Sequence, residues 1–192
     1  MRAVLDLTIR KGPVKMKFWP AVLLLSASFL IASSAFAQGP ETTLRTKACG
    51  SETVLFDATA DPSQHPLAQP EAGKASLYVI GSFVGESTAQ PIVKVGVDGA
   101  WAGAVRGNSY IFISVEPGDH HICVNWQSGF LTPSGLFALA NFTAEAGKTY
   151  YFRARTLNEA NRAYALDLDA ADDDEGQYLV ASSRFSKSHP KK

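Results

Sequence analysis

Between residues 73 and 155 the chain is interrupted at short intervals by tight-turn signals, each followed by a stretch in which apolar residues alternate. The signals are Asp98-Gly99, Gly107-Asn108, Glu116-Pro117-Gly118-Asp119 and Ala146-Gly147. Asp-Gly supplies the two positive-φ positions of a two-residue hairpin turn, and Pro-Gly suits the centre of a type II turn. Strands are expected at 75–81, 92–98, 101–106, 109–116, 120–127, 136–144, 149–157 and 161–169, with a further short one at 53–58. Short strands at such even spacing predict an all-β domain, an antiparallel two-sheet sandwich of about seven or eight strands. The acids Asp172-Asp173-Asp174-Glu175 precede Gln177-Tyr178-Leu179-Val180 and predict a short C-terminal helix from about 173 to 183.

The organisation around that block follows from composition. Residues 19–37 form an apolar stretch preceded by Lys15 and Lys17 and ended by Ala35-Phe36-Ala37. A basic start, a short apolar middle and small-x-small at the end describe a secretory signal over 1–37, with Met16 as an alternative start. The competing reading is an uncleaved anchor, which Ser26, Ser28, Ser33 and Ser34 make weakly apolar for a bilayer span. Residues 38–72 read as an N-terminal extension with a connector containing Pro62, Pro66 and Pro70, and 73–169 as the sandwich. The helix falls within 170–185, and 186–192 reads as a disordered basic tail.

Cleavage after Ala37 leaves 155 of the 192 residues, enough for one domain with a real core. That part holds 13 basic and 17 acidic side chains, a net charge of −4, which excludes a nucleic-acid footprint. The two cysteines, Cys49 and Cys123, both lie in it, and neither sits in a lipobox, so no stable membrane anchor remains after cleavage. In an oxidising compartment such a pair is expected to form a disulfide; two buried thiols, or a metal site, are the alternatives.

Candidate chemistry is sparse. His120 and His121 are adjacent on a strand and face opposite sides, so they cannot chelate one metal together. His120 shares its face with Ile122, Val124 and Trp126 and reads as a core-edge residue. His121 with His65 and an acid is a conceivable metal site. The acids from Asp167 to Glu175 lack calcium-loop spacing and read as a solvated helix start. Ser109 and Ser114 have no nucleophile elbow around them. Strand aromatics are mostly core or cross-strand pairs, but exposed ones can grip a ligand, and Trp101 and Tyr151 are the candidates for that role.

The strings Tyr78-Val79, Val97-Asp98-Gly99, Gly107-Asn108-Ser109-Tyr110, Pro117-Gly118-x-His120 and Glu145-Ala146-Gly147-Lys148-x-Tyr150-Tyr151, with Ser82-Phe83-Val84-Gly85, resemble a bacterial family known only as domain of unknown function twenty-eight forty-six. The likeness runs from about residue 74 to 151, with a weaker echo at Glu175-Gly176. It implies an exported envelope β domain, and it supplies no functional residues. Together these readings lead to a non-catalytic, periplasmic or secreted β-sandwich domain with no cofactor. Its expected partner is an envelope protein or a glycan. The alternative is a polysaccharide- or peptidoglycan-binding module using exposed aromatics, and a metal-dependent or hydrolytic enzyme comes third.

Overall fold

A computed structural model describes residues 45, 47–68, 71–83, 90–127, 135–157 and 165–192. The signal segment 1–37, most of the loop at 128–135, residues 84–85 of the Ser82-Phe83-Val84-Gly85 string and the start of the expected strand 161–169 lie outside them. Among the described residues these elements follow in order: β1 (Phe56–Asp61), β2 (Ala75–Ser82), β3 (Ile92–Val97), β4 (Ala100–Arg106), β5 (Ser109–Val115), β6 (Gly118–Gln127), β7 (Phe137–Ala144), β8 (Thr149–Leu157), β9 (Ala165–Ala171), α1 (Asp173–Ser182) and β10 (Arg184–Pro190). They build a six-stranded sheet in the order β1-β10-β5-β2-β8-β9 and a four-stranded sheet in the order β4-β3-β6-β7.

The hairpin signals act as their chemistry requires. Asp98 (φ 50°) and Gly99 (φ 82°) both take the positive φ that joins β3 to β4 in a two-residue turn. Two expectations need correction. The described residues form ten strands, and the larger sheet is mixed: β2 pairs parallel with β8, and β10 pairs parallel with β5. Alternation fixes which face a residue takes but not the direction of the neighbouring strand, so parallel pairing left no trace in the pattern.

The second correction concerns the tail. Residues 184–190 are strand β10, paired antiparallel along β1 from Phe56↔Pro190 to Asp61↔Phe185. Its serines replace the apolar side chains that would have advertised it. Ser186 Oγ donates to the Ala104 carbonyl and Ser188 Oγ accepts from the Ala104 N–H, both at 2.8–2.9 Å, so side chains of β10 satisfy the edge of β4. Lys187 and Lys191 pair with Asp61 and Asp57 of β1.

One apolar cluster lies between the sheets. Val93, Val95, Val105, Ile122, Val124 and Trp126 from the smaller sheet meet Leu77, Val79, Ile111, Phe152, Ala154 and Leu168 from the larger one. The strict period of two along β6 therefore places Ile122, Val124 and Trp126 inward, as expected. The opposite face of β6 is buried as well. Cys123 is disulfide-bonded to Cys49 with Cα atoms 5.2 Å apart, which lays the segment before β1 across the outside of the smaller sheet.

Candidate functional site

The outer face of the larger sheet carries rows of residues in register. One row is Phe112–Tyr78–Tyr151, and the next along the strands is Ser114–Ser76–Thr149. The Tyr78 and Tyr151 rings stack with centroids 5.2 Å apart, and Tyr110, Phe112 and Phe185 extend the aromatic layer. Alternation on β2, β5 and β8 thus feeds two clusters, one between the sheets and this one outside.

Two elements are anchored onto that layer. The connector before β2 is held by tyrosine hydroxyls: Tyr78 Oη accepts from the Ala68 N–H at 2.7 Å, and Tyr110 Oη donates to the Pro66 carbonyl at 3.0 Å. Helix α1 is capped by Asp172, whose carboxylate accepts from the Glu175 N–H at 2.8 Å, and Glu175 pairs with Arg153 of β8. The acidic run therefore starts and fastens a helix. Among the described residues no three metal-ligating side chains converge.

Gly176 lets the helix lie flat on Tyr151. A Cβ there would stand 2.2 Å from Tyr151 Cγ and 2.6 Å from its Cβ, the rigid base of that side chain. On a free helix Gly→Ala would add about 1 kcal/mol. Here Gly176→Ala should instead cost about 1–3 kcal/mol by forcing α1 off the sheet. A thermal melt checks the sign, and an unchanged or raised midpoint would mean that the helix moves freely.

Between the connector and the helix lies a cleft of about 640 Å³. Its floor is Tyr78, Thr149 and Tyr151, one wall is His65, Leu67 and Ala68, and the other is Gln177, Val180 and Ala181. Burial holds the Tyr151 hydroxyl protonated beyond its usual range, with Tyr78 and then Asp173 adding to the effect. Burial does the same for Tyr110, again with help from Tyr78. Leu67, beside the mouth, is 73% exposed.

The sequence candidates separate. Tyr151 is in the cleft. Trp101 is on the outer face of the other sheet, half-buried under the disulfide-bonded segment. Its Nε1–H donates to the Ser51 carbonyl at 2.7 Å, the Lys94 ammonium lies 4.3 Å from its ring centroid, and Gly50 packs against it. Trp101 therefore clasps the chain's own N-terminal segment. His65 lines the cleft while His121 is on the smaller sheet, so the two do not meet. Tyr78 and the two cleft walls were missed, although Tyr78 on an otherwise apolar strand was a visible signal.

His120 is 9% exposed and both its ring nitrogens are engaged. Nδ1 is 2.6 Å from Asp98 Oδ2 and Nε2 is 2.6 Å from the Glu116 carbonyl. Both partners are acceptors, so both contacts are hydrogen bonds only when the ring is cationic. Burial pulls its pKa down, but the Asp98 hydrogen bond, the Glu116 carbonyl and the charges of Asp98 and Asp119 outweigh it, and the net shift is upward from 6.5. Asp98 is pushed up by burial and pulled down further by the His121 N–H and by His120, so it lies below 3.8. The His120 contribution is complete below pH 6.5 and is lost as pH rises through the raised value; that of Asp98 is complete above pH 3.8 and is lost on acidification. His120→Gln should therefore cost more at pH 6 than at pH 8.5, about 1 kcal/mol at the lower pH, because solvent screens the 45%-exposed Asp98 side chain. Urea midpoints at the two pH values measure it, and equal losses would reject the cationic ring.

In comparison with known proteins the chain matches no family model, and no curated protein is similar to it in sequence.

Proposed function

We propose that this chain is an exported, non-catalytic β-sandwich domain of the bacterial envelope that binds a small molecule in the cleft beside Tyr151. The observation that carries this is the cleft itself. A concave, largely apolar space of about 640 Å³ with a few polar groups at its edge is the usual form of a small-molecule site. The Cys49–Cys123 disulfide supports an oxidising location. Among the described residues no helix is long and apolar enough to cross a membrane. The resemblance to domain of unknown function twenty-eight forty-six is consistent with export, and its shared turn strings fall at the β3–β4, β4–β5, β5–β6 and β7–β8 connections.

The non-catalytic part of the reading is supported by His120, whose two ring nitrogens are both hydrogen-bonded within the fold. Glycan binding through Trp101 and Tyr151 is less favoured. The Trp101 ring is occupied within the chain, and Tyr151 is stacked on Tyr78 and overlaid by Gly176.

An uncharged solvatochromic dye should bind the purified chain and be displaced by narrowing the cleft. Ala181 is exposed on the helix and lines the cleft, so Ala181→Trp should preserve the fold while weakening dye binding at least tenfold. Dye binding that ignores this change would place the site elsewhere.

A further inference from the structure

We propose that β7 is a self-association edge: two copies of the chain join antiparallel along it, about a twofold axis at Ala140, and their four-stranded sheets become one. The edge belongs to the smaller sheet and the cleft to the larger one, so neither reading needs the other.

A sheet edge offers unpaired main-chain N–H and C=O groups, and stable monomers blunt it with charge, proline or a covering element. Of the four edges of the two described sheets, three are blunted. β1 carries Asp57 and Asp61, paired with Lys191 and Lys187. β9 carries Asp167 and Asp169, both held by Arg155. On β4 the Ala104 N–H and carbonyl are taken by Ser188 and Ser186. β7 is different: Phe-Ala-Leu-Ala-Asn-Phe-Thr-Ala is eight residues with no charge and no proline.

The free groups of β7 can be named. The Trp126 N–H donates to the Leu136 carbonyl, and the ladder continues in that register from Asn125↔Phe137 to Gly118↔Ala144. Antiparallel hydrogen bonding alternates, so Ala138, Ala140, Phe142 and Ala144 turn their N–H and C=O toward β6. Phe137, Leu139, Asn141 and Thr143 turn theirs away, and none of these main-chain groups has a hydrogen-bond partner among the described residues. Solvent reaches that side. The inward side chains Ala138, Ala140 and Phe142 stay partly exposed, whereas Val93, Val95, Ile122 and Val124 on the inner strands of the same sheet are wholly buried. A groove of about 340 Å³ opens between β7 and β9, lined by Asn141 and Phe142 on one side and by Ala170 and Ala171 on the other.

A second copy fits because the edge is complementary to itself. With the twofold axis at Ala140, Phe137 meets Thr143 of the other copy and Leu139 meets Asn141. Each such pair exchanges two hydrogen bonds, so every outward N–H and C=O is answered. No other register pairs all four residues, and a slip by one residue sets outward groups against groups already bonded to β6. On the inner side the small Ala138 stands opposite the large Phe142, and Ala140 stands opposite itself, so no two rings compete for one place.

Sedimentation equilibrium of the purified, oxidised chain from about 1 to about 100 μM tests this, because a dimer must follow mass action. The average mass should rise with concentration toward twice that of the monomer. Asn141 is exposed, and Asn141→Lys sets like charges on neighbouring sites across the axis, which should weaken the dimer about tenfold or more. Asn141→Pro should weaken it comparably by deleting an outward N–H while leaving the β6 ladder whole. Melting midpoints close to the parent's at the lowest concentration show that both variants fold. Ala140→Cys puts two thiols at a non-hydrogen-bonded pair, within disulfide reach, so oxidised glutathione should link the copies. Thr143→Cys lies about 20 Å from its counterpart in this register and should not link. A chain that stays monomeric at about 100 μM overturns the proposal, whatever other strand the edge then accepts. A dimer indifferent to both Asn141 changes, or one that links through Thr143→Cys and not through Ala140→Cys, overturns it as well.

Discussion

Trp126→Ala should lower the unfolding free energy by about 3–5 kcal/mol, a large share of the 5–15 kcal/mol that holds a domain of this size together. Trp126 is 4% exposed at the end of the inward row of β6, after Ile122 and Val124, both wholly buried. Its ring meets Phe83 edge-on, with centroids 5.6 Å apart and planes at 86°, so truncation removes an aromatic pair as well as apolar area. β6 lies between β3 and β7, and both its neighbours are fixed along most of its length. The void left by the indole therefore cannot close by a simple strand shift, which places the cost toward the upper part of the range. Urea unfolding followed by circular dichroism measures it. A loss below about 1 kcal/mol, together with free quenching of Trp126 by iodide in the parent protein, would reverse the face assignment of β6.

That assignment was readable because alternation and turn chemistry are local. Asp98-Gly99 set the β3–β4 hairpin, and the acids before Gln177 set the start of α1. What could not be read was anything decided between distant segments. The parallel neighbours of β2 and β5 follow from where the chain re-enters the sheet, and no residue of β2 records that β8 runs beside it in the same direction. β10 was hidden because Ser186 and Ser188 work through hydroxyl contacts with Ala104 and not through apolar burial. The cleft was hidden for a related reason. Leu67, Tyr78, Tyr151 and Ala181 are spread over more than a hundred residues, and only the larger sheet and its two coverings bring them together. Trp101 reads as an exposed aromatic from the sequence, but the N-terminal segment that covers it is positioned by a disulfide between residues far apart in the chain.

Removing that disulfide should have the second large effect. Cys49 and Cys123 are 74 residues apart, and a loop of that length gives about 4 kcal/mol in the chain-entropy account. The double variant Cys49→Ala/Cys123→Ala should lose about that much. The segment it frees is then held only by weaker ties. Gln127 brackets Phe56 through its N–H and carbonyl at 2.7 and 2.8 Å, Lys94 Nζ donates to the Val54 carbonyl at 3.0 Å, and the Trp101 indole donates to Ser51. Lys94 is 2% exposed, and burial is the main cause of its lowered pKa, so this clasp includes an ammonium that favours reopening to water. The variant should accordingly show local opening before global unfolding. Iodide should quench Trp101 in the folded variant, while the cleft on the opposite sheet keeps its dye. Non-reducing peptide mapping of protein from its native host should find the Cys49 and Cys123 peptides linked and the mature N-terminus at Gln38. Free thiols at both positions would remove the main support for an oxidising location, and a variant as stable as the parent would show that the N-terminal segment is held by its hydrogen bonds alone.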